Sequence, residues 1–237
     1  MLKRKAAQRV LALAVLGAAL LISLYWVTPA VLALVRGPIY FDPLDENEND
    51  ISSLEGQYLE TDITTLLDFY AQTIDSSSKE STPRSREYLM PVNDVSDAES
   101  YIYIGVEVPR AKIDDADAVM DDTQRLLTDT DGSYSWDGSY VTIRGTLHPM
   151  DDETAGLYRE YLLSGDDITE EEIGQESGMF RTLVLVDGAI GAFNGRNNVI
   201  LVGVLWLCWA LLWLRLLFIV LTDRKAAAEN AEDTLES

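Results

Sequence analysis

His148 is the only histidine among 237 residues, and it bounds the chemistry this chain can perform. Metal sites built on paired imidazoles are excluded, and a nucleophile–base–acid triad could run only through that one ring. His148 stands beside Pro149, just past the alternating stretch Val141 to Leu147, where a lone histidine reads as a turn residue. Ser76-Ser-Ser-Lys79 has the Ser-x-x-Lys spacing of acyl-enzymes. Those enzymes seat the pair on a helix and need further Ser and Lys motifs, so in a polar linker the spacing reads as chance.

Asp129-Thr-Asp131-Gly132 offers carboxylates around a tight turn, as a calcium loop does. The pattern fails at its ends: Leu127 falls at the first ligand position and Gly138 at the twelfth, so a turn between helix and strand is the better reading. Gly188, Gly191 and Gly195 lack the Gly-Lys-Ser/Thr ending of a phosphate loop and read as a flexible joint. Forty Asp and Glu residues permit a carboxylate-dependent hydrolase, which would need two carboxyls about 5 to 9.5 Å apart, but no motif locates them. No catalytic, cofactor-binding or metal-binding residue is therefore assigned, and no cofactor is called for.

The elements that would position any site begin at the two ends. A helix of about 18 or more apolar residues can cross the roughly 30 Å hydrocarbon layer of a bilayer. Val10 to Val35 carries no charge, and Val199 to Leu221 carries only Arg215. The N-terminal run has the basic start of a secretory signal, and Val31-Leu-Ala33 loosely fits a cleavage site. Its 26 residues exceed the usual signal core of about 7 to 15, which favours an uncleaved span. Thr28 and Pro29 fit an N-cap and first helical position, so a kink or break is expected near Pro29.

Arg215 lies about 9 Å from the end of its run, within reach of a headgroup layer, and reads as an anchor; the alternative is a contact with a partner helix. Trp206, Trp209 and Trp213 recur at three and four and share one helix face. Gly17, Ala18 and Ala19 offer small residues for close approach, so packing between the two spans is the ordinary account of that stripe. Tyr25 and Trp26 fit the outer interface of the first span.

Orientation follows from Lys and Arg in short flanks, which stay on the cytoplasmic side. Lys3, Arg4, Lys5 and Arg9 precede the first span; Arg224 and Lys225 follow the second. The expected layout is a cytoplasmic N-terminus at 1–9, spans at 10–35 and 199–221, an extracytoplasmic domain at 37–197 and a disordered cytoplasmic tail at 222–237.

The central segment holds 35 Asp and Glu against 10 Lys and Arg, a net of −25 where the whole chain carries −22. Such a surface repels nucleic acid, and carboxylates spread this evenly read as a solvated surface. Cys208, the sole cysteine, falls in the second span, which excludes a disulfide-stapled scaffold.

Within that segment Tyr101 to Val108 alternates with period two: Ile102, Ile104, Val106 and Val108 mark one buried face. Val141 to Leu147 repeats the pattern, Tyr88 to Val92 is a shorter strand, and Arg181 to Val186 reads as more fully buried. Tyr58 to Ile74 suits either a strand or a helix stripe and is taken as one long strand for its Thr and aromatic content. Helices are expected where Ile113, Ala116, Met120 and Leu127 share a stripe, and from Asp152 to Leu163, with Leu157, Tyr158, Tyr161 and Leu162 on one side and Gly165 as the stop. Thr169 to Glu172 matches a capping box. Asp42 to Ser53 and Asp75 to Arg86 read as surface loops.

The fold class is therefore α+β, two transmembrane helices flanking an acidic domain. The strand and helix order is similar to a five-stranded OB-like barrel. On the Gly37-Pro-Ile-Tyr40 exit, Leu54-Glu-Gly-Gln-Tyr-Leu59, the Tyr101 to Pro109 strand and the Tyr158 to Leu162 helix, the chain resembles a family of small uncharacterised bacterial membrane proteins that place one such domain between two spans. No activity follows from that resemblance. The leading functional expectation is a non-enzymatic membrane-anchored binding, sensing or scaffold protein, with membrane lipid and another membrane or cell-surface protein as partners. The alternatives are an accessory subunit of a transporter or channel, and the carboxylate-dependent hydrolase.

Overall fold

The computed structural model describes residues 2–45, 50–74, 82–93, 101–135, 138–165, 168–174, 178–191 and 193–233, with the side chains at 2–6, 194 and 226–233 outside that description. The chain divides into two compact units, 36–194 and the paired terminal segments. Ser76 to Lys79 lies outside the described residues.

The terminal unit is two helices, α1 (Leu2–Arg36) and α5 (Arg196–Asp233). Of the kink or break expected near Pro29, the break does not occur: α1 runs through the proline. Thr28 is not an N-cap; its hydroxyl donates to the Leu24 carbonyl one turn back, the ordinary mid-helix use of a threonine. The expected disordered tail also needs correction, because α5 continues past 221 to Asp233. Lys225-Ala-Ala-Ala-Glu is built from the best helix formers, which carry the helix beyond its apolar part.

The 36–194 unit is built on a sheet of seven strands: β1 (Ile39–Tyr40), β2 (Tyr58–Ile63), β3 (Phe69–Ile74), β4 (Pro83–Asn93), β5 (Tyr101–Pro109), β6 (Val141–Pro149) and β7 (Phe180–Asp187). Their order is β1-β2-β6-β7-β5-β4-β3, with β1 beside β2 and β5 beside β7 parallel and the other neighbours antiparallel. The sheet is open, so the OB-like barrel does not hold. The cause is local. Tyr58 to Ile74 is not one strand but two, broken at 64–68, and the halves lie toward opposite sides of the sheet. The break is held in place: Leu66 is fully buried and its N–H donates to Thr123 Oγ1, while Leu67 and Asp68 exchange backbone bonds with Leu89.

Two helices cover the two faces. Helix α3 (Ile113–Thr128) buries Ala116 and Val119 against Ile102, Ile104, Val106 and Val108 of β5. Helix α4 (Asp152–Leu163) buries Tyr158 and Leu162 against Leu89, Phe180 and Val184, with Tyr103 partly buried among them. The short α2 (Ile51–Leu54), capped by Asp50, sends Ile51 into the α3-side core. It stands where a plain loop was expected.

Several boundaries and faces differ from expectation. Strand β4 starts at Pro83, inside the expected loop, because Arg86 and Tyr88 are drawn to Asp117 on α3. Leu127 and Leu157, assigned to buried stripes, are 66% and 44% exposed; each falls off the face that meets the sheet. His148 sits within β6 opposite Val184 and is not a turn residue. The capping box at Thr169 and Glu172 is present on a 3-10 turn, Glu170–Glu172.

Two glycines set how closely the layers approach. A Cβ at Gly145 would strike the Val186 backbone carbonyl of the neighbouring strand, whereas one at Gly105 would meet the tips of Tyr70 and Met150. Backbone cannot move aside cheaply, but side-chain tips can. Gly145→Ala should therefore cost about 3 kcal/mol or more and Gly105→Ala about 1 to 2 kcal/mol, as measured by urea unfolding of the purified protein. Equal costs would show that backbone approach at β6 and β7 does not limit the fold.

Candidate functional site

Two occluded polar groups, the Tyr70 hydroxyl and Glu87 Oε2, lie together on the α4 face of the sheet. Glu87 of β4 lies directly opposite Glu107 of β5. Opposed residues on neighbouring strands hold their Cβ atoms about 4.5 to 5.5 Å apart, and like charges there oppose the pairing. Tyr70 of β3 reaches over Gly105, the one residue type that leaves room for its hydroxyl. The Tyr70 ring meets Tyr158 of α4 edge-on at 4.9 Å and Tyr161 at 6.2 Å.

The Tyr70 hydroxyl and Glu87 are close enough to act on each other's ionisation, yet the hydroxyl and Glu87 Oε2 are both occluded from solvent without a completed hydrogen bond. Burial pushes the Glu87 carboxyl up from its ordinary range, and the negative charges of Glu107 and Asp151 add to the rise while Tyr70 opposes it. Burial likewise raises the Tyr70 phenol, with Glu87 the next cause. Tyr161 is pushed up to about 12 by burial and by Asp68, whose Oδ2 accepts its hydroxyl at 2.9 Å. Tyr158 donates to the Tyr103 carbonyl at 3.2 Å. The cluster is thus two opposed carboxylates beneath a row of three tyrosines that hold α4. Reasoning along the sequence missed it: Glu87 fell between the expected loop ending at Arg86 and the expected strand starting at Tyr88, and Glu107 looked like the solvent side of an amphipathic strand.

The other acidic and ionic groups are structural. Asp129 Oδ2 accepts the Tyr134 N–H at 2.7 Å and Asp131 Oδ1 the Ser133 N–H at 3.1 Å, so the calcium-like loop uses these oxygens to close its own turn. Among the described residues no three His, Cys, Asp or Glu side chains converge to hold a metal. Lys112 Nζ bridges the Thr142 carbonyl and Asp187, and Asp187 Oδ1 also accepts the Arg144 N–H, tying α3's start to β6 and β7. Gly188 and Gly191 are turns bonded to β6, through the Arg144 carbonyl and Thr146 Oγ1, and not a free joint. Gly195 precedes α5 and accepts the Asn198 N–H.

In the terminal unit the tryptophan stripe has a definite place. Trp206, Trp209 and Trp213 are half-buried while Leu205, Leu207, Leu211, Leu212 and Leu214 around them are exposed. Trp213 Nε1 donates to the Leu13 carbonyl of α1 at 3.1 Å, and its indole covers Gly17, where a Cβ would stand 3.1 Å from Nε1. Arg9 pairs with Asp223 at 2.7 Å, so the helices run antiparallel. Tyr25 and Trp26 are exposed, their rings edge to face at 6.4 Å. Arg215, Arg224 and Lys225 are exposed, and the side chains of Lys3, Arg4 and Lys5 lie outside the described residues.

The antiparallel pair depends on that indole. In a Cys208→Ala background, cysteines at Val31 and Gly203, whose positions are in contact, should cross-link readily. Gly17→Leu, which displaces Trp213, should cut the yield severalfold. Trp213→Phe should cost about 1 kcal/mol of helix-pair stability in detergent. An undiminished yield in both variants would remove Trp213 as the determinant.

The model of one family, described as Domain of unknown function (DUF8577), matches residues 1–221, and the chain belongs to that family. No curated protein and no solved structure matches the chain.

Proposed function

We propose that the chain, as a member of a family without an assigned activity, is a two-pass membrane protein that works by contact: a binding, sensing or scaffold module without catalysis, held by α1 and α5. The observation that carries this reading is the outward face of the terminal helices. Leu21 and Phe218 are each 68% exposed, and the exposed apolar side chains continue along both helices. A soluble protein rarely leaves more than a few hundred Å² of contiguous apolar surface to water, whereas a bilayer removes that cost. Each helix has a stretch of 30 residues long and apolar enough to cross, Ala7–Arg36 and Arg196–Lys225.

The basic flanks place both termini on the cytoplasmic side and the 36–194 unit outside. An antiparallel pair is the arrangement such a topology requires. The acidic unit then faces the external medium, where its charge disfavours anionic partners. In a Cys208→Ala background, Ser52→Cys should react with an impermeant thiol reagent on intact cells, and Ser237→Cys only after lysis. The opposite pattern would invert the orientation.

A second reading, an accessory subunit of a larger membrane complex, is favoured by Arg215. It is exposed on α5, and no acid pairs with it among the described residues. As a headgroup anchor it tolerates both Lys and Leu, since Arg224 and Lys225 remain to hold orientation. As a bidentate partner of another chain's carboxylate it tolerates neither. The anchor account expects Arg215→Lys and Arg215→Leu to keep protein level and co-purifying partners unchanged. Loss of one specific partner in both variants, with the protein still inserted, would establish the subunit reading.

A further inference from the structure

We propose that Glu87, set opposite Glu107, is a proton-binding site whose charge state sets how firmly α4 and β3 hold to this face of the sheet. The geometry that carries it is the register of β4 and β5, which sets Glu87 and Glu107 directly opposite each other on the α4 face, with Glu87 Oε2 occluded from solvent. Glu87 Oε2 and the Tyr70 hydroxyl are both occluded from solvent, and among the described residues the phenol is the one hydrogen-bond donor that acts on the Glu87 carboxylate. Two charged carboxylates held this way repel in a medium that screens poorly. One added proton removes the repulsion and gives Glu87 a donor, which Glu107 or the Tyr70 hydroxyl can accept.

The groups facing Glu87 from each element packed against it are Tyr70 of β3, Glu107 of β5, Asp151 in the turn before α4, and the Tyr158 ring of α4 through Tyr70. The charged ones acting on it, Glu107 and Asp151, are both acidic, so no ion pair offsets its charge. The consequence reaches α4 because Tyr70 is the shared piece: its ring packs on Tyr158 and Tyr161, and its hydroxyl end lies against Glu87.

The direction of the effect follows from linkage. Burial raises the Glu87 carboxyl, so the folded protein keeps a proton that the unfolded chain releases. The stability this contributes is fully present below the ordinary carboxylate pKa and is lost as pH rises through the raised value. The remaining surface acids push the same way through net repulsion, so the test must separate this pair from the general field.

The experiment uses the full chain in detergent micelles, with thermal unfolding and hydrogen exchange followed from pH 5 to pH 8.5. Glu87→Gln, which imitates the protonated acid, should raise Tm at pH 8 by about 3 °C or more, and the gain should shrink as the pH is lowered toward the ordinary carboxylate range. Glu107→Gln should act in the same direction. Glu160→Gln, which removes an exposed acid of α4, should give a shift that does not vary with pH. Corrected for intrinsic exchange, protection across 152–163 should fall with rising pH in the parent and not in Glu87→Gln, while 113–128 keeps its protection. The proposal is overturned if the Glu87→Gln shift is the same at every pH, if both Gln variants lose stability at pH 8, or if α3 and α4 lose protection together. Should Glu87→Gln fail to fold, the Glu107→Gln profile decides by the same criteria.

Discussion

Every layer of the 36–194 unit depends on β5 having two faces that are both covered. It lies between β4 and β7, so its backbone groups are satisfied on both sides and its side chains alternate into two different cores. One set, Ile102, Ile104, Val106 and Val108, is uniformly aliphatic and fully buried beneath α3. The other set, Tyr103, Gly105 and Glu107, must meet α4 with an aromatic ring, a gap and a charge. The α3 side is therefore a plain hydrophobic core, and whatever is particular to this protein falls on the α4 side.

The gap at Gly105 explains much of what surrounds it. Because no Cβ stands there, Tyr70 can enter from β3, and because Tyr70 enters, α4 has aromatic rings at Tyr158 and Tyr161 to receive it. The same entry closes the space over Glu87 and separates it from water. A longer side chain at 105 would expel the phenol and leave the carboxylates hydrated, with the repulsion weakened by solvent. Occlusion of Glu87 thus originates in an absent side chain at Gly105 of the neighbouring strand.

Much of this architecture was legible in the chain. Period two in Tyr101 to Val108 and Val141 to Leu147, the acidic start of α3 and the bounds of α4 all followed from local patterning, because each element buries a regular face. The division of Tyr58 to Ile74 was not legible. Thr64 to Asp68 breaks the strand through bonds to Thr123 and Leu89, residues 21 or more positions away, and no local propensity encodes those partners. The barrel expectation failed at that point, since the two short strands pair toward opposite edges of the sheet and not with each other, which leaves it open. The Glu87–Glu107 pair was illegible for a related reason: register between β4 and β5 is a property of the pairing and of neither strand alone.

The terminal helices show the converse, a feature whose meaning was readable while its partner was not. Three tryptophans at helical spacing signal a shared face, and small residues at 17 to 19 signal close approach. Only the structure joins the two, by setting the Trp213 indole over Gly17 and its N–H on the Leu13 carbonyl. In the bilayer proposed above that bond would carry particular weight, because a lone indole donor there would have no water to turn to. Trp206, about two turns away, has a buried Nε1 without a partner, so the same stripe contains a satisfied donor and an unsatisfied one. The helix pair is therefore fastened at the Trp213 level and held by packing alone at Trp206. Motion between the two helices, where it occurs, should begin at the end of the pair near Trp206, because separation there breaks no hydrogen bond.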